Sequence, residues 1–192
     1  LREILKRPID QQEFRTARAA CTALGLLGDP SAIDALAYGL FIRIRGNGIY
    51  PHAARAMVRL GSAASVPALL DLLQDHNPEV TLLLQSYGGV VGAEPPPPGT
   101  MQNVALDALR GFSAPAAIPA LIALAQNRTV LADANAARML RAKAAEVLAY
   151  TALTLPPNHP DRARTFDVIS GMFREEPIAQ GDLAGLTADS LA

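Results

Sequence analysis

The chain has one cysteine, Cys21, and no tryptophan, and aromatic residues fill only 5% of its 192 positions. A single cysteine excludes an internal disulfide framework and a cysteine-cluster metal site. Scarce aromatics, with sparse valine and isoleucine, exclude a β-sandwich or barrel core. Neither sign of charge is in excess: 17 Lys and Arg stand against 18 Asp and Glu, net −1. That balance argues against a globally basic nucleic-acid binder and against an acidic disordered tail protein. Long hydrophobic runs are missing too. A membrane helix needs about 18 uninterrupted apolar residues, and the most apolar run, Val80 to Leu84, is far shorter. Leu1-Arg2-Glu3 is not a basic stretch leading into an apolar core, so no signal peptide is read there. The chain does not begin with Met, which suggests a fragment or a processed form. The expectation is a soluble protein, with the cytoplasm favoured and an exported form left open.

What is abundant is alanine and leucine, 36 and 27 residues, about a third of the chain. Both favour helix. Their placement is periodic. Setting Gly61 over Gly28, an offset of 33 residues, aligns Ala20 with Ala53, Ala23 with Ala56, Leu24 with Met57, Leu27 with Leu60, Ile33 with Val66 and Leu36 with Leu69. A third copy places Ala105, Ala108, Leu109, Ile118 and Leu121 in the same register, and a weaker fourth places Ala144, Val147 and Leu148.

Each copy reads as two helices. Helix A carries small and apolar residues at i, i+3, i+4 and i+7: Ala20, Ala23, Leu24 and Leu27. A turn with helix-start chemistry follows. In Asp29-Pro30 a capping oxygen precedes a proline at the first helical position, where its missing N–H costs nothing. Ser62 and Ser113 stand at the corresponding place in the next copies. Helix B then presents Ile33, Leu36, Ala37 and Leu40, matched by Val66, Leu69, Leu70 and Leu73 and by Ile118, Leu121, Ile122 and Ala125. Neither helix buries its apolar stripe alone, so the pairs are expected to stack.

The run Arg18-Ala19-Ala20, Ala23-Leu24-Gly25, Leu27-Gly28-Asp29-Pro30 resembles the HEAT repeat family in its short form, the PBS-lyase HEAT-like repeat. The first copy carries the motif in full. The second and third keep the apolar framework without Gly-Asp-Pro. The resemblance covers most of residues 1–125 and fades beyond. It implies an all-α, right-handed α-solenoid of stacked antiparallel helix pairs over residues 1–174. The pairs are expected at 10–45, 50–75, 100–126 and 134–174, with a partial repeat at 1–7. On that reading Asp10 caps the first complete pair, with Glu13 as its capping box, and Ile4 and Leu5 form an apolar stripe bared by truncation.

Residues 76–99 interrupt the period. Asn77-Pro78-Glu79 opens a short extra helix. Gly88 to Gly99 contains Pro95 to Pro98 and cannot be regular helix; it reads as a stiff loop, a lid, or a ligand for a proline-reading domain. Further insertions stand at Asn127 to Asn135 and Thr154 to Pro160. A last helix runs from Asp161 to about Arg174, and 175–192 reads as a tail.

The resemblance places the binding surface on the concave side lined by the B helices. Register then gives three ladders pointing off the core: Asp34, Pro67 and Pro119; Tyr38, Asp71 and Ala123; Phe41, Gln74 and Gln126. The candidate partner-binding residues are Asp34, Tyr38, Phe41, Asp71, Gln74 and Gln126, with Tyr38 and Phe41 as aromatic anchors. The opposite reading makes Phe41 a packing residue. No catalytic residues, metal ligands or cofactor are assigned. His52, His76 and His159 lie far apart, and Gly88-Gly89-Val90-Val91-Gly92 lacks the Lys and Ser/Thr of a phosphate loop. Cys21, on the inward side of helix A, reads as a small hydrophobe. The expectation is a non-enzymatic scaffold binding a protein or peptide. The family also implies a bilin-lyase alternative, to which Asp34, Tyr38 and Asp71 would contribute. DNA repair is a weaker third, resting on Arg43, Arg45, Arg55 and Arg59 and on Arg138, Arg141 and Lys143.

Overall fold

A computed structural model describes residues 1–88, 96–112, 114–128 and 130–175. The tail 176–192, Ser113 and the start of the Pro95–Pro98 run lie outside the described residues. The chain divides into two units, Leu1–Ala114 and Pro115–Ala192. The boundary falls inside the third expected helix pair.

In the first unit a short helix α1 (Arg2–Leu5) leads through a 3-10 turn to α2 (Phe14–Leu27). A second 3-10 turn, Pro30–Ala32, opens α3 (Ile33–Gly39). A two-stranded hairpin, β1 (Arg43–Ile44) and β2 (Asn47–Gly48), joins α3 to α4 (Tyr50–Leu60). Next come α5 (Ser62–Leu73), α6 (Pro78–Gly88) and α7 (Thr100–Leu109). The second unit holds α8 (Ile118–Gln126), α9 (Ala134–Leu153) and α10 (Pro160–Glu175). The described residues are thus mostly helical, with one short hairpin among them. None of their helices is long and apolar enough to cross a membrane.

Local chemistry sets the boundaries. Gly28 ends α2 in the left-handed region, φ 68°, which glycine enters without a Cβ penalty. One Oδ of Asp29 accepts the Ser31 amide at 2.9 Å and so caps the following turn. Asn77 caps α6 in the same way, its Oδ1 accepting the Val80 amide at 3.0 Å. Asp10 does not cap α2. It lies in the 3-10 turn Ile9–Gln11, before the first amides of that helix, and Glu13 takes the cap position with its carboxylate turned to the Thr16 hydroxyl. Ser62 is already helical. Gly61, at φ 88°, alone separates α4 from α5.

The first unit packs as two layers, α2 against α4 and α3 against α5, with α3 also on α4. In the α2/α4 layer Ala17, Ala20, Cys21, Leu24, Ala53, Ala56 and Met57 are buried. The helices come so close at Gly25 that a Cβ there would stand 2.8 Å from the Cα of Ala56. The α3/α5 layer buries larger aliphatics, among them Leu36, Val66, Leu69 and Leu72. Ser65 crosses between helices, its buried hydroxyl donating to the Met57 carbonyl at 2.8 Å.

Two expected placements fail. Leu27, expected to face inward, is 67% exposed, because α2 ends there and the chain turns away at Gly28. Leu5, expected to be bared, is fully buried, since α1 packs on both α2 and α3. In the second unit Ala144, Val147 and Leu148 are buried on α9, which packs against α8.

Candidate functional site

The ladder residues separate sharply once placed. Asp34 is exposed and Tyr38 half-buried on α3, and Asp71 is exposed on α5 with Gln74 just past its end. Gln126 is exposed at the end of α8 in the second unit. Phe41 corrects the expectation of a surface anchor: it is only 4% exposed. The physical reason is the length of α3. Helical register carries Asp34 to Tyr38, but the helix stops at Gly39. Leu40, Phe41 and Ile42 then turn inward and join Ile44 and Ile49 as the buried residues of the link to α4.

The carbonyl of Phe41 is nonetheless part of the surface architecture. The Tyr87 hydroxyl, at the end of α6, donates to it at 3.1 Å and accepts the Arg43 amide at 2.8 Å. At the other end of α6, Glu79 forms a 2.7 Å ion pair with Lys6. Val80 and Leu83, one turn apart between these ends, are buried. The inserted helix is therefore fastened at both of its ends, to Lys6 at the end of α1 and to the link between α3 and α4. Burial raises the pKa of Tyr38, with the Glu79 carboxylate adding and the Lys6 ammonium opposing. Burial raises Tyr87 as well, against the lowering effect of the Arg43 amide bond. Both hydroxyls stay protonated at neutral pH, and that of Tyr87 serves as a neutral donor to Phe41.

Asp34 stands on an open groove of about 410 Å³ lined by Leu1, Arg2, Glu3, Lys6, Ser31, Asp34 and Ala35. Its wall is braced by Arg2, whose Nη1 donates at 3.0 Å to both the carbonyl and the hydroxyl of Ser31, while that hydroxyl donates to Asp29 at 2.6 Å. The bonded Ser31 hydroxyl, more than any other group, holds the Asp29 carboxyl below its usual range. The face of the first unit therefore carries carboxylates, an amide and a phenol, with the cations Arg2 and Lys6 along the groove.

Other candidates resolve plainly. Cys21 is buried, and desolvation pushes its thiol up to about 12, so it remains a thiol. Among the described residues no three of His, Cys, Asp and Glu gather as metal ligands. Arg141, grouped earlier in a basic cluster, is 4% exposed, and its Nε donates to the Ala125 carbonyl at 2.8 Å near the end of α8. It satisfies helix-end backbone inside the second unit.

Sequence reasoning overlooked three things here. The hairpin was missed because Asn47-Gly48, a strong turn signal, forms the second strand, while Arg45 and Gly46 take the two positive-φ positions of the turn. The start of α6 was legible, but its attachment through Tyr87 and Glu79 carried no local signal. The approach of Arg18 to the like charges of α4 was also missed: desolvation, then Arg18 and Arg55, lower the pKa of His52.

Residues 52–75 match the family model described as the PBS lyase HEAT-like repeat. The match falls on α4 and α5, the second copy, although the first copy holds the fuller Gly-Asp-Pro motif. No curated protein and no solved structure matches the chain. The matched segment is one helix, a single-glycine break and a second helix, with Ala53, Ala56, Met57, Val66 and Leu69 buried. A PBS lyase HEAT-like repeat is therefore present in this chain, carried by α4 and α5.

Proposed function

We propose that the chain is a non-enzymatic interaction module that holds a protein or peptide on the exposed face of its B helices. The observation that carries this reading is the α3/α5 layer of the first unit. Below it lies a continuous aliphatic core; above it stand Asp34, Asp71 and Gln74 in solvent beside the half-buried Tyr38. Helical repeats offer broad surfaces of this kind and few preorganised catalytic groups. Gln126 holds the register position of Gln74 on α8 of the second unit. Right-handed stacking of the pairs and a concave B-helix face belong to the same reading, by resemblance to the repeat family. Tyr38 is its anchor, because an amphipathic aromatic loses little entropy on binding.

Panning a displayed library of short random peptides against the chain tests this. The selected peptides are expected to bind Tyr38→Ala/Asp71→Lys at least about tenfold more weakly, the usual range for an anchor and a charge at an interface. Equal affinity for both proteins would remove this face from the binding surface.

A further inference from the structure

The two helix layers of the first unit differ in charge as well as in side-chain size. Helices α2 and α4 contain Arg15, Arg18, Arg55 and Arg59, with His52, and not one Asp or Glu. Helices α3, α5 and α6 contain Asp34, Asp71 and Glu79, and not one Lys or Arg. Over the whole chain these contributions cancel, so composition hid the segregation.

The α2/α4 charges form a pattern on the surface. His52, Arg55 and Arg59 follow i, i+3 and i+7 along one stripe of α4, and Arg15 and Arg18 follow i, i+3 along α2. All four arginines are exposed. Among the described residues none of their guanidinium groups is paired with a carboxylate. The stripes are held side by side, because α2 and α4 touch backbone to side chain at Gly25 and Ala56. Desolvation, and then the nearby charges of Arg18 and Arg55, lower the pKa of His52.

The same layer exposes aliphatic side chains at its C-terminal end. Leu26 is 70% exposed, Leu27 67% and Val58 47%. Leu26 and Leu27 directly follow Gly25, which packs on Ala56, two residues before Val58. A phosphate backbone would use the arginines and leave these aliphatics unmatched. A polypeptide that alternates carboxylates with leucine-like side chains would use both.

We infer that the outer face of α2 and α4 is a second interaction surface, built for an acidic, amphipathic segment of a partner protein. Its carboxylates would pair with Arg18, Arg55 and Arg59, and its apolar residues would cover Leu26, Leu27 and Val58. This surface is separate from the B-helix face, so one module could hold two partners at once. The arginines set encounter rate and salt dependence, and the aliphatics supply the buried apolar contact.

Fluorescence anisotropy with a labelled peptide of alternating Glu and Leu tests the inference on the full chain. Binding is expected to weaken about tenfold for Arg18→Glu/Arg55→Glu, to weaken with added salt, and to weaken again for Leu26→Gln/Leu27→Gln. Arg164→Glu, an exposed charge reversal on α10, is expected to leave binding unchanged. If the double reversal fails to fold by circular dichroism, Arg18→Gln/Arg55→Gln and the salt series on the unaltered chain answer the same question. Three results would overturn the inference: no binding of the peptide, equal binding by the arginine variants, or tighter arginine-dependent binding of a DNA duplex or of phosphatidylserine vesicles. The variants leave Tyr38 and Asp71 untouched, so failure here and failure of the B-helix face are separate results.

Discussion

The α2/α4 layer and the α3/α5 layer of the first unit solve the same packing problem in opposite ways. The first brings helices together largely by shortening side chains: Gly25 meets Ala56, and Ala17, Ala20 and Ala53 line the contact beside Cys21, Leu24 and Met57. The second fills its contact with Leu36, Val66, Leu69 and Leu72. Small residues make the α2/α4 contact thin, with much of each helix left facing solvent, and those positions hold arginine. The difference teaches that one repeat can offer two chemically distinct outer faces while keeping a common core.

The layers should therefore fail to opposite changes. Leu36→Ala removes bulk from a fully buried site and is expected to cost about 3 kcal/mol, read from urea denaturation. Gly25→Ala adds bulk where a Cβ has 2.8 Å to backbone, and is expected to cost about 2 kcal/mol although alanine is the better helix former. Gly171→Ala on α10, where a Cβ meets nothing within 4 Å, is expected to stabilise by about 0.5–1 kcal/mol. A stabilising Gly25→Ala would contradict the close helix contact.

Tyr87→Phe sharpens the second side of the comparison. It leaves the Phe41 carbonyl without its donor and the Arg43 amide without its acceptor, for an expected loss of about 1–2 kcal/mol. Amide exchange in α6 should rise more than in α2 or α4. The smallest effect concerns His52. Its folded pKa lies below the ordinary 6.5, so the unfolded chain takes the proton first as pH falls. The contribution of His52 to stability is complete above about 6.5 and is lost below it, until the folded histidine is also protonated. Arg18→Gln is expected to raise the His52 titration midpoint, read by NMR, since Arg18 is one of the two charges opposing protonation.

Much of this fold was legible because the repeat writes its core into fixed positions. Ala20, Ala53 and Ala105, Leu36, Leu69 and Leu121 are buried as their register requires. Asp29-Pro30 and Asn77-Pro78 marked real helix starts, because capping chemistry is local. The site was less legible. Periodicity carried Asp34 to Tyr38 correctly and then overran, since it holds no information on where α3 stops; Phe41 was misplaced for that reason. Leu27 was misplaced by the same overrun at the end of α2. The docking of Tyr87 on Phe41 spans 46 positions along the chain and depends on tertiary placement alone.

NMR shift mapping with a peptide selected against the chain tests the binding face most directly. Perturbations are expected to centre on 33–39 and 62–74, with Tyr38 among the strongest. Perturbations confined to α9 and α10, with those segments unmoved, would contradict the assignment of the B-helix face.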